Sequence, residues 1–215
     1  MRIKTVLIAI AIVFGTAGAA QAVTVQKATF SHTQLSFFAF LEADVACGGD
    51  AGTQTAFATV SISGGSFVNP FGSGTGTSIS VFNFQNPCTG EFFDDAEGFI
   101  QGGVTGPNQP LTSARLTGSG DIPIDFGPGG TAHVIQDLTF TGDGALSSSR
   151  GTTETKSVTT PSGPFTITVQ RSADRNRTAD VTGTITIDGV VFPVDLTAGA
   201  TMLDSSSTTI TVSKP

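Results

Sequence analysis

Two cysteines, two histidines and 17 carboxylates are the side chains through which this 215-residue chain could do chemistry. Cys47 and Cys88 are open to three uses: a thiolate nucleophile, a pair of metal ligands, or a disulfide. A nucleophile needs a base to take its proton, and neither His32 nor His133 stands at a spacing from either cysteine that supplies one. A two-histidine metal site needs a carboxylate at a fitting distance, and none stands out. Two lone cysteines in an exported β-rich chain read as a disulfide. It would close a loop of 88 − 47 + 1 = 42 residues, and by the chain-entropy relation it stabilises by about 4 kcal/mol.

The carboxylates are unevenly spread. From Lys27 to Arg115 no other Lys or Arg occurs, while Glu42, Asp44, Asp50, Glu91, Asp94, Asp95 and Glu97 supply seven negative charges. A Cys47–Cys88 bond pulls Glu42, Asp44 and Asp50 toward Glu91, Asp94 and Asp95. A Ca2+ ion, which takes six to eight oxygen ligands, would relieve the repulsion, with Glu91, Asp94, Asp95 and Glu97 as its ligands. The spacing fits no EF-hand or nonapeptide pattern, and the competing reading is a solvated acidic face. Glu42, Glu91 and Glu97 are the carboxylates available to a glycoside hydrolase pair. No G-x-S-x-G elbow, P-loop, H-E-x-x-H helix or dinucleotide fingerprint is present. With neither Trp nor Tyr, the chain also lacks the flat amphipathic rings on which sugars stack.

A formal charge of −7 argues against DNA or RNA as a partner, since such binders cluster Lys and Arg to displace counterions. The local basic cluster, Arg171, Arg175 and Arg177 around Asp174, reads as a strand-to-strand turn able to dock the acidic half of a neighbouring molecule. Residues 51–90 hold no charged side chain. Such a run is buried on both faces or covered by a partner, because an uncharged exposed edge invites strand addition. Phe38, Phe40, Phe82 and Phe84 are the expected anchors of a partner or self-association surface.

The elements that position these groups are strands. Residues 1–22 read as an export signal: Arg2 and Lys4, an apolar run from Val6 to Phe14, and the exit Ala20-Gln21-Ala22. The run is too short to span a membrane as a helix, so a mature chain starting at Val23 is expected in the periplasm or outside the cell. Beyond it the pattern has period two. Ala179, Val181, Gly183, Ile185 and Ile187 share one face; Asp188-Gly189 suits a type I′ turn; Val190, Phe192, Val194 and Leu196 return, making 178–197 a hairpin. Pro193 lacks an N–H and places the returning strand at an edge or bulge. Ala56/Ala58/Val60/Ile62 and Val134/Gln136/Leu138/Phe140 alternate in the same way. The spacing predicts an all-β fold, an antiparallel sandwich or barrel of ten to twelve short strands, and no helix beyond the signal. Residues 23–215 form one domain, with 102–111 as the candidate split into two subdomains. An outer-membrane barrel is disfavoured by the missing Trp and Tyr girdles and by the Lys214-Pro215 ending.

The stretch from Ser78 to Phe99, with Val81-Phe82-Asn83-Phe84 leading into Cys88-Thr89-Gly90-Glu91, resembles uncharacterised secreted bacterial β proteins. That resemblance implies secretion and β structure and brings no activity with it. The spacing of the cysteines, 88 − 47 = 41 positions, is similar to that of fimbrial subunits, whose C-terminal aromatic zipper is missing here. Together these observations lead to an exported, disulfide-stapled, non-catalytic β protein acting as a surface, matrix or interaction component. A Ca2+-dependent extracellular binding domain is the alternative, and a secreted hydrolase the next.

Overall fold

The computed structural model describes residues 24–106, 111–127, 129–151 and 167–213, so the segment 1–22, read above as an export signal, lies outside them. Eight antiparallel strands form one sheet: β1 (Thr24–Ala46), β2 (Thr53–Asn69), β3 (Gly72–Asn86), β4 (Glu91–Thr105), β5 (Ser113–Phe126), β6 (Thr131–Arg150), β7 (Ile167–Ile187) and β8 (Val190–Ser213). Each pairs with the next, and β1 pairs with β8, closing a barrel. The one non-strand element among the described residues is a 3-10 turn, Gly49–Ala51. No helix among them is long and apolar enough to cross a membrane.

Alternation decides what the barrel encloses. Ala56, Ala58, Val60 and Ile62 of β2 face inward with Val134, Leu138 and Phe140 of β6 and Ala179, Val181, Ile185 and Ile187 of β7, all buried. An eight-stranded barrel is just wide enough for side chains to fill. Phe84 stacks on Phe93 with ring centroids 4.8 Å apart and meets Phe192 edge-on at 6.3 Å, while Phe37 meets Phe140 at 6.2 Å. Gln136 is a polar exception within this interior; its Nε2 donates to Thr77 Oγ1 at 3.0 Å, tying β6 to β3 across the lumen. The opposite faces of β6 and β7 present Asp137, Thr139, Asp180, Thr182 and Thr184. An apolar inside and a hydroxyl-bearing outside reverse the pattern of a lipid-facing barrel.

The expected ten to twelve short strands are eight long ones in a single closed sheet, which is not a sandwich. Segments 24–31 and 36–45 are one strand, β1, and 112–126 coincides with β5. Gly64, which reads as a break, lies inside β2, where an added Cβ would collide with Leu116 Cδ1; Gly183, read as part of its strand, sits at φ +140° against the Asp137 carbonyl, where a Cβ has no room either. The 178–197 hairpin forms as read, with Asp188 and Gly189 both at positive φ and Ile187 paired with Val190. The candidate split near 102–111 falls at the β4–β5 connection, of which 107–110 lie outside the described residues, and the strands on either side pair with each other.

Ring closure is one-sided. The β1–β8 ladder runs from Thr24 opposite Ser213 to Phe37 opposite Ala200 and stops there. Beyond it, 38–46 pairs with β2 and 190–196 with β7. The departure is set at Ala198, held at φ 52° with its N–H donating to Asp180 Oδ1 at 2.8 Å. Pro193 sits in this singly paired stretch, where its missing N–H removes nothing from a second ladder. Core residues along the seam, Phe37, Ala39, Leu41, Ala43, Val190 and Val194, keep 3–6% exposure where most of the core has none, so side chains seal what backbone pairing leaves open.

Candidate functional site

The rim where β1 ends and β2 begins, here the lower rim, also carries the β3–β4, β5–β6 and β7–β8 turns. Cys47 and Cys88 are bonded across it, with Cα atoms 5.0 Å apart. The bridge joins the β1–β2 connection to the β3–β4 turn, skipping over β2. Asn86 prepares that turn by accepting the Cys88 N–H at 3.1 Å through its side chain and the Gly90 N–H at 2.9 Å through its carbonyl.

The acidic residues nearby do not converge on an ion. Strand alternation in β4 turns Glu91 to the side of buried Phe93 and sends Asp94 and Glu97 outward, while a register shift after Asp95 sets that residue apart. Among the described residues no group of three or more His, Cys, Asp or Glu side chains is placed to hold a metal. Strand spacing therefore disperses the proposed Ca2+ ligands Glu91, Asp94, Asp95 and Glu97. Glu91 instead meets Asp188, whose Oδ1 accepts the His133 N–H at 2.7 Å and whose Oδ2 is buried without a partner. Burial first, and the Asp188 charge second, raise the Glu91 carboxyl above its ordinary value. A raised carboxyl favours the fold when protonated, so this contribution is present in acid and is lost as pH rises through the folded-state value.

On the outer wall Arg115 donates to Asp137 through Nε at 2.8 Å and Nη2 at 2.7 Å. Those hydrogen bonds, with the guanidinium charge, hold Asp137 below the usual carboxylate range and outweigh its desolvation. A lowered carboxyl stabilises above its unfolded value and loses that contribution as pH falls; at a solvated surface the effect is small. His133 Nδ1 lies 2.6 Å from Asp121 Oδ1, its cross-strand neighbour. None of these pairs includes a hydroxyl or thiol nucleophile.

The aromatic residues separate into two sets. Phe38 is 64% and Phe40 59% exposed on the outer face of β1, and Phe82 is half-buried on that of β3. Phe84 faces the core instead, and takes no part in an outer surface. The reason is a bulge at Asn83, held at φ 51°, where Thr59 pairs with Phe82 but Phe57 pairs with Gln85. Register then lines up Phe40, Thr59 and Phe82 in one row across β1, β2 and β3. Phe57 stacks on Phe40 at 5.8 Å, and Phe92 and Phe99 of β4 extend the wall, Phe99 at 84% exposure. Sequence reading missed Phe57, Phe92 and Phe99; their signal is position, each next in the chain to a buried residue of its strand: Ala56 and Ala58, Phe93, and Ile100.

Charge is segregated along the barrel. Among the described residues every Lys and Arg lies toward the upper rim: Lys27, Arg115, Arg150, Arg171, Arg175 and Arg177. The lower rim holds Glu42, Asp44, Asp50, Glu91, Asp94, Asp125 and Asp188 with no cation among the described residues. Arg171, Arg175 and Arg177 do not occupy a turn as the sequence implied; they lie within β7, on the face that continues the barrel interior, where Arg177 is opposite Met202 and Arg175 opposite Asp204.

No family model matches the chain, and no curated protein matches it in sequence. Among solved structures, a candidate AttH from Nitrosomonas europaea is similar over 86% of this chain at 11% identity, with a TM-score of 0.26. The chain spans about half, 52%, of that protein's length.

Proposed function

We propose that the protein is an exported, non-catalytic interaction component that binds a partner through the aromatic, acid-flanked outer wall of β1–β4. The observation carrying this reading is the row Phe40–Thr59–Phe82 with Phe38, Phe57 and Phe92 around it, all within a stretch, 28–114, that contains no Lys or Arg. Burying one exposed Phe contributes about 1.5–3 kcal/mol, so contiguous rings on a wall of hydroxyls are worth more covered than wet. Glu42 and Asp95 flank the rings, which favours a protein partner presenting apolar side chains among Lys or Arg. The disulfide supports an oxidising compartment, outside the cytoplasm. A filled barrel interior and the scattered carboxylates of β4 favour contact over turnover.

The test uses the mature chain from Val23, immobilised against extracts of its native envelope, with sedimentation velocity of the free protein alongside. A Phe38→Ser/Phe40→Ser variant is expected to keep the wild-type melting temperature within a few degrees. Its affinity for the identified partner, or for itself, is expected to fall at least tenfold, as for loss of a buried aromatic anchor. Equal binding by variant and wild type, or neither partner nor self-association at micromolar concentration, contradicts the reading.

A further inference from the structure

We infer that the upper rim holds an oxyanion-binding groove between β6 and β7. Register sets Ser148 opposite Arg175 and Arg150 opposite Ala173. Arg177 follows Arg175 on the same strand face, about 7 Å along. A groove of about 510 Å³ opens there, lined by Leu146, Ser148, Ser149, Arg150, Asp174 and Arg175.

Arg150, Arg171, Arg175 and Arg177 stand outside the ion pairs Arg115–Asp137 and His133–Asp121. Among the described residues the carboxylates near this face are Asp204, across from Arg175, and Asp174 in the groove wall, two against four guanidinium groups. Arg177 packs over Gly142, where an added Cβ would lie 3.0 Å from its Nε, and that N–H is buried without an acceptor. A guanidinium fork matches the two oxygens of a carboxylate or phosphate, and the Ser148 hydroxyl is a further donor, while Ser149 Oγ donates to Asp174 Oδ2 at 3.4 Å. The groove's described lining residues include no aromatic side chain, which suits a hydrated oxyanion rather than a stacked base or sugar ring. The site is independent of the β1–β4 wall.

Isothermal titration of the mature protein at low ionic strength, with inorganic phosphate in one arm and citrate in the other, tests this. Sodium chloride at matched ionic strength is the control. The expected result is saturable binding of phosphate, citrate or both, the stronger ligand identifying which oxyanion the groove prefers. Arg150→Gln and Arg175→Gln each weaken it about tenfold, as for a lost charge-assisted hydrogen bond. Arg175→Lys retains part of it and Arg115→Gln, on the outer wall, leaves it unchanged. All four variants are checked for wild-type melting temperature. No saturable binding in either arm, a response equalled by chloride, or binding indifferent to both Arg150→Gln and Arg175→Gln overturns the proposal.

Discussion

Phe84→Ala is expected to lower the unfolding free energy by about 3–5 kcal/mol, the cost of removing a fully buried aromatic ring from a core that cannot collapse onto the space. The ring is completely shielded from solvent, stacked on Phe93 and edge-on to Phe192, so three strands lose a shared contact at once. Phe82→Ala, two residues earlier and on the outer side of the Asn83 bulge, is the paired measurement. It is expected to cost under about 1.5 kcal/mol, in line with a partly exposed side chain. Urea denaturation of both variants gives the comparison directly. Equal losses, or a larger loss at Phe82, contradict the bulge and the side on which each ring lies.

Opening the Cys47–Cys88 bond is expected to cost about 4 kcal/mol, the loop-closure entropy of the unfolded chain over 42 residues. The native consequence is local. The bridge pins the β1–β2 connection to the β3–β4 turn at the rim where β1 and β8 have parted and 38–46 pairs with β2 alone. Cys47→Ala/Cys88→Ala, or wild type in reductant, therefore unfolds at lower urea, with a steeper slope because the unlinked unfolded chain exposes more surface. Hydrogen exchange is expected to rise first in 38–46, ahead of the doubly paired half of β1. A double variant as stable as wild type contradicts the assignment of this bond as the staple of the lower rim.

How much of this was legible in the sequence depended on whether a local rule also held globally. The 178–197 hairpin could be read because alternation, a turn dipeptide and register agree there. The disulfide could be read because compartment chemistry leaves a cysteine pair few alternatives. Strand number could not: Gly64 looks like a break, yet it is inside β2 where Leu116 approaches, and that proximity exists only once the barrel has closed. Phe82 and Phe84 share parity in the sequence and part company in the fold, because one residue at positive φ shifts the register. The acidic run of β4 looked like a ligand set because its members are close along the chain, but a strand sends neighbours to opposite faces. The axial segregation of charge was the least visible feature. It emerges when eight strands are folded back and forth so that cations distant in sequence reach the same rim.

Which side chains face outward, and so which can meet a partner or an anion, follows from the closure of β1 onto β8. Paired cysteines test it most directly: His32→Cys/Ser205→Cys and Ser31→Cys/Ser206→Cys place thiols on directly opposed residues of the two strands, and His32→Cys/Ser207→Cys is out of register by two. Opposed residues on neighbouring strands have Cβ atoms about 4.5–5.5 Å apart, near disulfide reach. The closed barrel predicts rapid intramolecular oxidation of at least one in-register pair at low protein concentration, with the offset pair lagging far behind. Crosslinks that form only between molecules, or equally fast for the offset pair, would mean that β1 and β8 do not meet in this register.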